Sequence, residues 1–159
     1  MKLSSVLTTV LSVMLSLPFT ASANDNGVVL VTGANRGLGL EFVQQLEAKG
    51  YEVIGTARSP QKATELNATG ARVEQLDVTD AASVAALAER LGDTPIDLLI
   101  NNAGMLNRED STMDSLDFDV MERSFQVNSL GPLRVTQALL PNLNTGKGKT
   151  VVSLSLIHI

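Results

Sequence analysis

The sequence predicts an α/β fold built on a doubly wound parallel sheet, and three observations carry that prediction. From Gly27 onward, short β-branched runs alternate with amphipathic helical stretches, the pattern of βαβ units joined by right-handed crossovers. The first run, Val28-Val29-Leu30-Val31, is apolar at every position, as expected of a parallel strand covered on both faces. A glycine-rich turn, Thr32-Gly33-Ala34-Asn35-Arg36-Gly37-Leu38-Gly39, then leads straight into a helix.

The remaining elements follow in order. Gly37 to Lys49 reads as a helix because Leu40, Val43 and Leu46 recur at a spacing of three, and Gly50 supplies a stop. Val53-Ile54 marks a second strand, Gln61 to Leu66 a short helix, and Arg72 to Leu76 a third strand. Ala82 to Leu91, rich in alanine and leucine, reads as a helix, and Ile96 to Ile100 as a fourth strand. A long helix is expected from near Asp117 through Asn128 towards Leu140, with Pro141 stopping it. Thr150 to Leu154 begins a fifth strand. No internal repeat or low-complexity tract appears.

Both ends read differently from this body. Met1-Lys2 is a short positive start, Val6 to Phe19 is largely apolar, and Ala21-Ser22-Ala23 is a small-x-small cleavage pattern. That order predicts a signal-peptide-like segment over residues 1–23, cut before Asn24, and hence export to a periplasmic or extracellular space. The apolar run is interrupted by Thr8, Thr9, Ser12, Ser16 and Pro18, and falls short of the ~20 residues a membrane span needs. A buried N-terminal helix, a retained membrane anchor and a cytoplasmic chain with a misassigned start are the alternatives. Residues 24–153 then form the fold, and residues 154–159 are expected to be a non-native tail. One back-translation of Leu154-Ser155-Leu156-Ile157-His158-Ile159 is CTG TCT CTT ATA CAC ATC, the mosaic-end adapter of transposase-based sequencing libraries. A natural apolar strand is the alternative, and the nucleotide record separates the two.

Composition narrows the chemistry. The chain has 159 residues, within the range of roughly 100–200 for one domain, and 12 Lys+Arg against 17 Asp+Glu argue against a nucleic-acid partner. With no cysteine there are no disulfides, thiolate metal sites or cysteine nucleophiles. The single histidine, His158, excludes a multi-histidine metal site and leaves no plausible Ser-His-Asp triad. Any chemistry must run on a borrowed cofactor.

The glycine turn says which. A helix N-terminus presents unpaired N–H groups and the positive end of its dipole, and glycines let the backbone approach a phosphate. The spacing here is G-x-x-x-G-x-G rather than G-x-G-x-x-G, so the flanking strand and helix are what give it meaning. The second strand ends Gly55-Thr56-Ala57-Arg58. An NAD site places a carboxylate there, about 20 residues past the turn, for the ribose 2′-hydroxyl. Arg58, with Arg36 in the glycine loop, suits a 2′-phosphate instead, so NADP(H) is expected over NAD(H). Each arginine could also be an ordinary solvated side chain.

Three further segments are specific. Asp77-Val78 follows the third strand, Asn101-Asn102-Ala103-Gly104 ends the fourth, and Asn128 lies mid-helix in Val127-Asn128-Ser129-Leu130-Gly131-Pro132. Together with Thr32 to Gly39, these resemble the short-chain dehydrogenase/reductase family in its compact single-domain branch, with the texture of Sniffer- and C-factor-like carbonyl reductases. The resemblance runs from about Gly27 to Ser153. It implies a Rossmann-type doubly wound parallel sheet, here truncated after the fifth strand. It also implies that Gly33, Asn35, Arg36, Gly37, Leu38 and Gly39 wrap the pyrophosphate and adenosine ribose, and that Asp77 and Val78 flank the adenine. Asn102, Ala103 and Gly104 would line the cofactor's path, and Asn101 would tie the fourth strand to its neighbour. Asn128 matches the asparagine whose backbone carbonyl holds a water of the family's proton relay; it also reads as a kink residue, and the kink is what frees that carbonyl.

The family's reaction is hydride transfer between a nicotinamide and a carbonyl or alcohol substrate. A tyrosine serves as general acid/base, its pKa lowered by a lysine four residues on. This chain has one tyrosine, Tyr51, followed four residues later by Gly55. Counting from Asn128, the family's paired serines fall at Ser155 and Leu156. The full-length parent protein is therefore expected to be an NADP(H)-dependent oxidoreductase and a homo-oligomer, and the chain itself inactive. A non-catalytic NADP(H)-binding sensor or signalling protein is the rival, and membrane contact is expected only if the N-terminal segment is retained. The substrate pocket is expected to be bordered here by Met105 to Met113 alone.

Overall fold

The computed structural model describes residues 26–106 and 112–154. The signal-like segment and residues 155–159 of the expected tail lie outside them, as do residues 107–111 of the stretch expected to border the substrate. The strands are β1 (Val28–Val31), β2 (Glu52–Ala57), β3 (Arg72–Gln75), β4 (Leu98–Asn101) and β5 (Thr150–Ser153). They form one parallel sheet in the order β3-β2-β1-β4-β5, with Val28 opposite Glu52, Val29 opposite Leu98, and Leu98 opposite Thr150. The helices are α1 (Gly37–Ala48), α2 (Thr64–Asn67), α3 (Ala81–Leu91), α4 (Phe118–Phe125), α5 (Gly131–Ala138) and α6 (Leu140–Thr145).

The central strands are covered on both faces, which is why Val28–Val31 reads as a continuous apolar run. Val29, Val31, Val53, Ala57 and Ile100 pack with Leu40 and Val43 of α1 and Leu66 of α2. Leu30, Ile54 and Leu99 pack on the other side with Val84, Leu87 and Leu91 of α3, Val135 of α5, Leu143 of α6 and Leu139 between those two helices. Each fully buried leucine or valine contributes about 1.5–3 kcal/mol relative to exposure. Caps set two helix starts: Asp80 accepts the Ala82 N–H at 2.9 Å, and Asp117 accepts the Val120 N–H at 3.0 Å.

Four expectations change. The short helix after β2 splits into a 3₁₀ turn, Pro60–Lys62, and α2. Strand β4 starts at Leu98, because the Ile96 N–H is taken by the Asn142 carbonyl at 3.0 Å before the chain enters the ladder. The long helix is interrupted by a π-helical segment, Gln126–Leu130, between α4 and α5. In α-register the Asn128 carbonyl would take the N–H of residue 132, which is proline and has none. Pro141 does not end a helix either. It sits in the first turn of α6, where a missing N–H costs nothing.

Two ion-paired or hydrogen-bonded carboxylates hold the frame away from the glycine turn. Asp97 accepts N–H bonds from Val28 at 2.7 Å, from Gly148 at 3.1 Å and from Lys147, joining β1, β4 and the approach to β5. The Val28 bond, with those of Gly148 and Lys147, holds its carboxyl below the usual aspartate range despite burial. On β3, Glu74 pairs with Arg90 at 2.6 Å and Arg72 at 2.8 Å. Burial acts to raise its pKa, and the two guanidiniums outweigh that and lower it.

Candidate functional site

The strand order reverses direction between β1 and β4, so a crevice opens beyond the C-terminal ends of those two strands. The loops leaving them are stitched together. The Thr32 hydroxyl accepts the N–H groups of Asn102 and Ala103, each at 3.0 Å. Asn102 Nδ2 donates to the carbonyls of Thr32 at 2.9 Å and Gly33 at 3.0 Å. On the other side, the Ala34 N–H donates to the Thr56 carbonyl at 2.8 Å.

Within this loop the glycines serve different ends. Gly33 has φ +64°, and a Cβ there would lie 2.8 Å from Ala103 Cα. A Cβ on Gly39 would collide with Asn102 Nδ2 and the Gly33 carbonyl. These two let α1 and the β4 loop close on the turn. Gly37 has φ +58°, but a Cβ there would meet nothing within 4 Å. The space in front of it is open, and Asn35, Arg36, Gly37 and Leu38 are all exposed. Arg36 occupies the N-cap without a side-chain cap, and the first turn of α1 holds no acidic residue. The first N–H groups of this helix are thus uncapped, and its positive dipole end is unopposed.

The other expected residues fall along the same C-terminal edge. Arg58 follows β2 directly and is exposed; neither it nor Arg36 is ion-paired to another described residue. Asp77 and Val78 follow β3. The Asp77 Oδ1 accepts the Thr79 N–H at 2.9 Å and hydroxyl at 2.7 Å, and the Asp77 N–H donates to Ser83 Oγ at 2.9 Å. Val78 is buried against Gly131, where a Cβ would come within 2.9 Å of its Cγ2. Gly104 is exposed beside half-buried Asn102 and Ala103. Asn128 clasps the residue beyond it: its Oδ1 accepts the Met105 N–H and its Nδ2 donates to the Met105 carbonyl, both at 2.8 Å.

Hydrogen bonds therefore bring the glycine loop and Asn102–Ala103 together, and the π-helical segment is tied to the β4 loop. Asn101 ties β4 to β5 through its carbonyl, which accepts the Leu154 N–H at 3.0 Å, and its side chain donates to Thr136 Oγ1 at 3.2 Å, tying β4 to α5 as well. Asn101 lies beside Ser153 in the β4–β5 ladder, so the strand contact is left to the backbone. Sequence reasoning missed the acceptor role of Thr32, the Asn128–Met105 clasp, and Ser83. It also missed Thr56, whose buried hydroxyl has no partner among the described residues. For Ser83 there was a signal: a serine on the apolar face of α3 beside Val84 and Leu87. Among the described residues no His/Cys/Asp/Glu cluster could hold a metal. Tyr51 precedes β2, so it lies at the opposite end of the sheet from the glycine turn.

Comparison with known proteins agrees with this geometry. Residues 27–157 match the family model described as short chain dehydrogenase. A 1-hydroxy-2-glutathionyl-2-methyl-3-butene dehydrogenase from a Rhodococcus species is 36% identical over 79% of this chain and 55% of that protein. The NADPH-bound carbonyl reductase from chicken fatty liver is 40% identical at a TM-score of 0.66, over 74% of this chain and 52% of that one. A Caenorhabditis elegans protein assigned as the carbonyl reductase Sniffer is 35% identical at a TM-score of 0.70, over 81% of this chain and 62% of that one. The chain spans about half the length of the curated relatives it matches, from 42% to 55% among the first four. With its parallel sheet, its glycine turn and its matched residues taken together, this chain belongs to the short-chain dehydrogenase/reductase family.

Proposed function

We propose that this chain is the nucleotide-binding part of an NADP(H)-dependent oxidoreductase acting on a carbonyl or alcohol substrate. The observation that carries the reading is the uncapped start of α1, open at Gly37 and flanked by two exposed arginines with no carboxylate at Ala57. Those residues fit the cofactor. Backbone N–H groups from Gly37 to Gly39 would hold the pyrophosphate, with Asn35 and Leu38 beside it. Arg36 and Arg58 would hold the 2′-phosphate, and Asp77 and Val78 the adenine. Asn102, Ala103 and Gly104 would line the path to the nicotinamide. When bound, NADPH supplies the hydride. Asn128 holds the β4 loop through Met105, and its backbone carbonyl, denied a donor by Pro132, is the one that would hold a relay water.

The chain carries no Tyr-x-x-x-Lys, so by itself it binds NADP(H) and reduces nothing. Supporting evidence for cofactor choice comes from the NADPH-bound and NADP-bound neighbours. Titration with NADPH and NADH, followed by nucleotide fluorescence, tests this. NADPH is expected to bind at least about tenfold tighter, and Arg58→Asp to erase most of that margin, since a charge-assisted hydrogen bond is worth about 1.5–3 kcal/mol. Equal affinities, or carbonyl-dependent NADPH oxidation by the 159-residue chain, would overturn the reading.

The lone, misplaced tyrosine also favours a second reading, a silent NADP(H)-binding sensor. A Tyr-x-x-x-Lys downstream in the gene decides for the enzyme. We further propose that the whole protein is a homo-oligomer and is exported. Exposed Phe118, Met121 and Phe125, aligned on α4, support the first, and the signal-like residues 1–23 support the second. Light scattering and N-terminal sequencing of the expressed protein test them.

A further inference from the structure

The first turn of α3 contains a buried hydroxyl that hydride chemistry does not call for. Ser83 sits among Val84, Leu87 and Leu91 on the face of α3 that packs on the sheet, and is 8% exposed. An aliphatic residue would suit that place better, unless the hydroxyl is satisfied. It is: Ser83 Oγ accepts the Asp77 N–H at 2.9 Å and donates to Gln75 Oε1 at 3.3 Å.

The consequence is a turn between β3 and α3 tied down by several hydrogen bonds. The Leu76 N–H donates to the Ala57 carbonyl at 3.0 Å, anchoring the end of β3 to β2. The Asp77 carbonyl accepts the Asp80 N–H at 3.2 Å, and its Oδ1 takes both the N–H and the hydroxyl of Thr79. Only Oδ2 of Asp77 is left without a partner among the described residues. Val78 is meanwhile pressed against Gly131. Ser83 is the α3 side chain that bonds the Asp77 peptide and Gln75 to the helix, beside the Asp80 cap on Ala82.

We propose that Ser83 is a positioning residue for the adenine end of the dinucleotide, acting through Asp77. By holding the Asp77 peptide, it fixes the Asp77 carboxylate and Val78 in place before ligand arrives, so binding does not have to order the turn. This rests on the reading of Asp77 and Val78 as adenine contacts.

Two probes separate the ends of the site. Adenosine 2′,5′-bisphosphate reads the adenine end without nicotinamide, and inorganic pyrophosphate reads the glycine turn. Calorimetric titration of the full chain is expected to show Ser83→Ala weakening the bisphosphate about three- to tenfold, with pyrophosphate unchanged. Ser83→Thr, which keeps the hydroxyl, stays within about twofold of the parent. Combined with Asp77→Ala, Ser83→Ala costs less than it does alone, because the part of its effect that passes through the Asp77 carboxylate is already lost. Unchanged bisphosphate affinity in Ser83→Ala, equal loss of both probes, failure of Ser83→Thr to restore binding, or additive losses would overturn the proposal. If instead Asp77→Ala binds the bisphosphate as the parent does, the adenine reading itself fails and takes this inference with it.

Discussion

Gly37 and Gly33 have nearly the same backbone angle but answer to different neighbours. At Gly37 a methyl group would project into open space, so Gly37→Ala is expected to keep the fold at a cost of about 1–2 kcal/mol of left-handed strain. The same methyl would stand where a pyrophosphate approaches, and NADPH affinity should fall about tenfold or more. At Gly33 the methyl would strike Ala103, adding about 1–3 kcal/mol of overpacking to the strain. Urea melts of the two variants beside NADPH titration separate them: Gly37→Ala loses binding first, Gly33→Ala loses stability first. Asp97 makes a different residue-scale prediction. Its folded pKa is lowered, first by the Val28 N–H, so its contribution is complete above the ordinary aspartate value of 3.8 and is lost as pH falls through the folded value. Urea midpoints should therefore drop on acidification below about pH 4, and Asp97→Asn should lose about 1.5–3 kcal/mol at neutral pH and flatten that drop. An unchanged acid limb in Asp97→Asn would rule this out.

Among the elements, the α4–π–α5 run shows how far periodicity reads and where it stops. Its helical character was legible from the apolar spacing, and the kink from Gly131-Pro132. The π register was not, because it depends on which carbonyl the missing Pro132 N–H leaves unpaired. The end at Pro141 was misread: a proline that cannot continue one helix is well placed to begin the next. What the interruption achieves is a clasp, since Asn128 meets Met105 across 23 residues of sequence. Asn128→Ala removes both bonds at about 0.5–1.5 kcal/mol each, so hydrogen exchange at the Met105 N–H should speed up about tenfold or more. Exchange as slow as in the parent would show that the loop is held by something else.

At the scale of the whole sheet, the two edges differ among the described residues. Edge strand β3 is protected by the Arg72–Glu74–Arg90 network, the charged edge that discourages pairing. Among the described residues strand β5 has no such guard; Val151 and Val152 are 42% and 39% exposed. The isolated chain is expected to self-associate through that edge, and Val152→Lys to reduce the association measured by light scattering. A scattering profile unaffected by the lysine would count against β5 as the contact.

The parallel α/β fold and the glycine turn were legible because both rest on local chemistry: apolar runs long enough for strands, and a phosphate-sized gap in side chains before a helix. The resemblance of their segments to the short-chain dehydrogenase/reductase family is what proposed Asn102, Asp77 and Asn128 for the site. What Thr32, Ser83 and the Asn102 amide do there was settled only by tertiary structure. Their partners lie 70 residues away for Asn102 and Thr32, and six away across a turn for Ser83 and Asp77. A hydrogen bond leaves no periodicity in a sequence; it exists only once the sheet has brought donor and acceptor to the same edge.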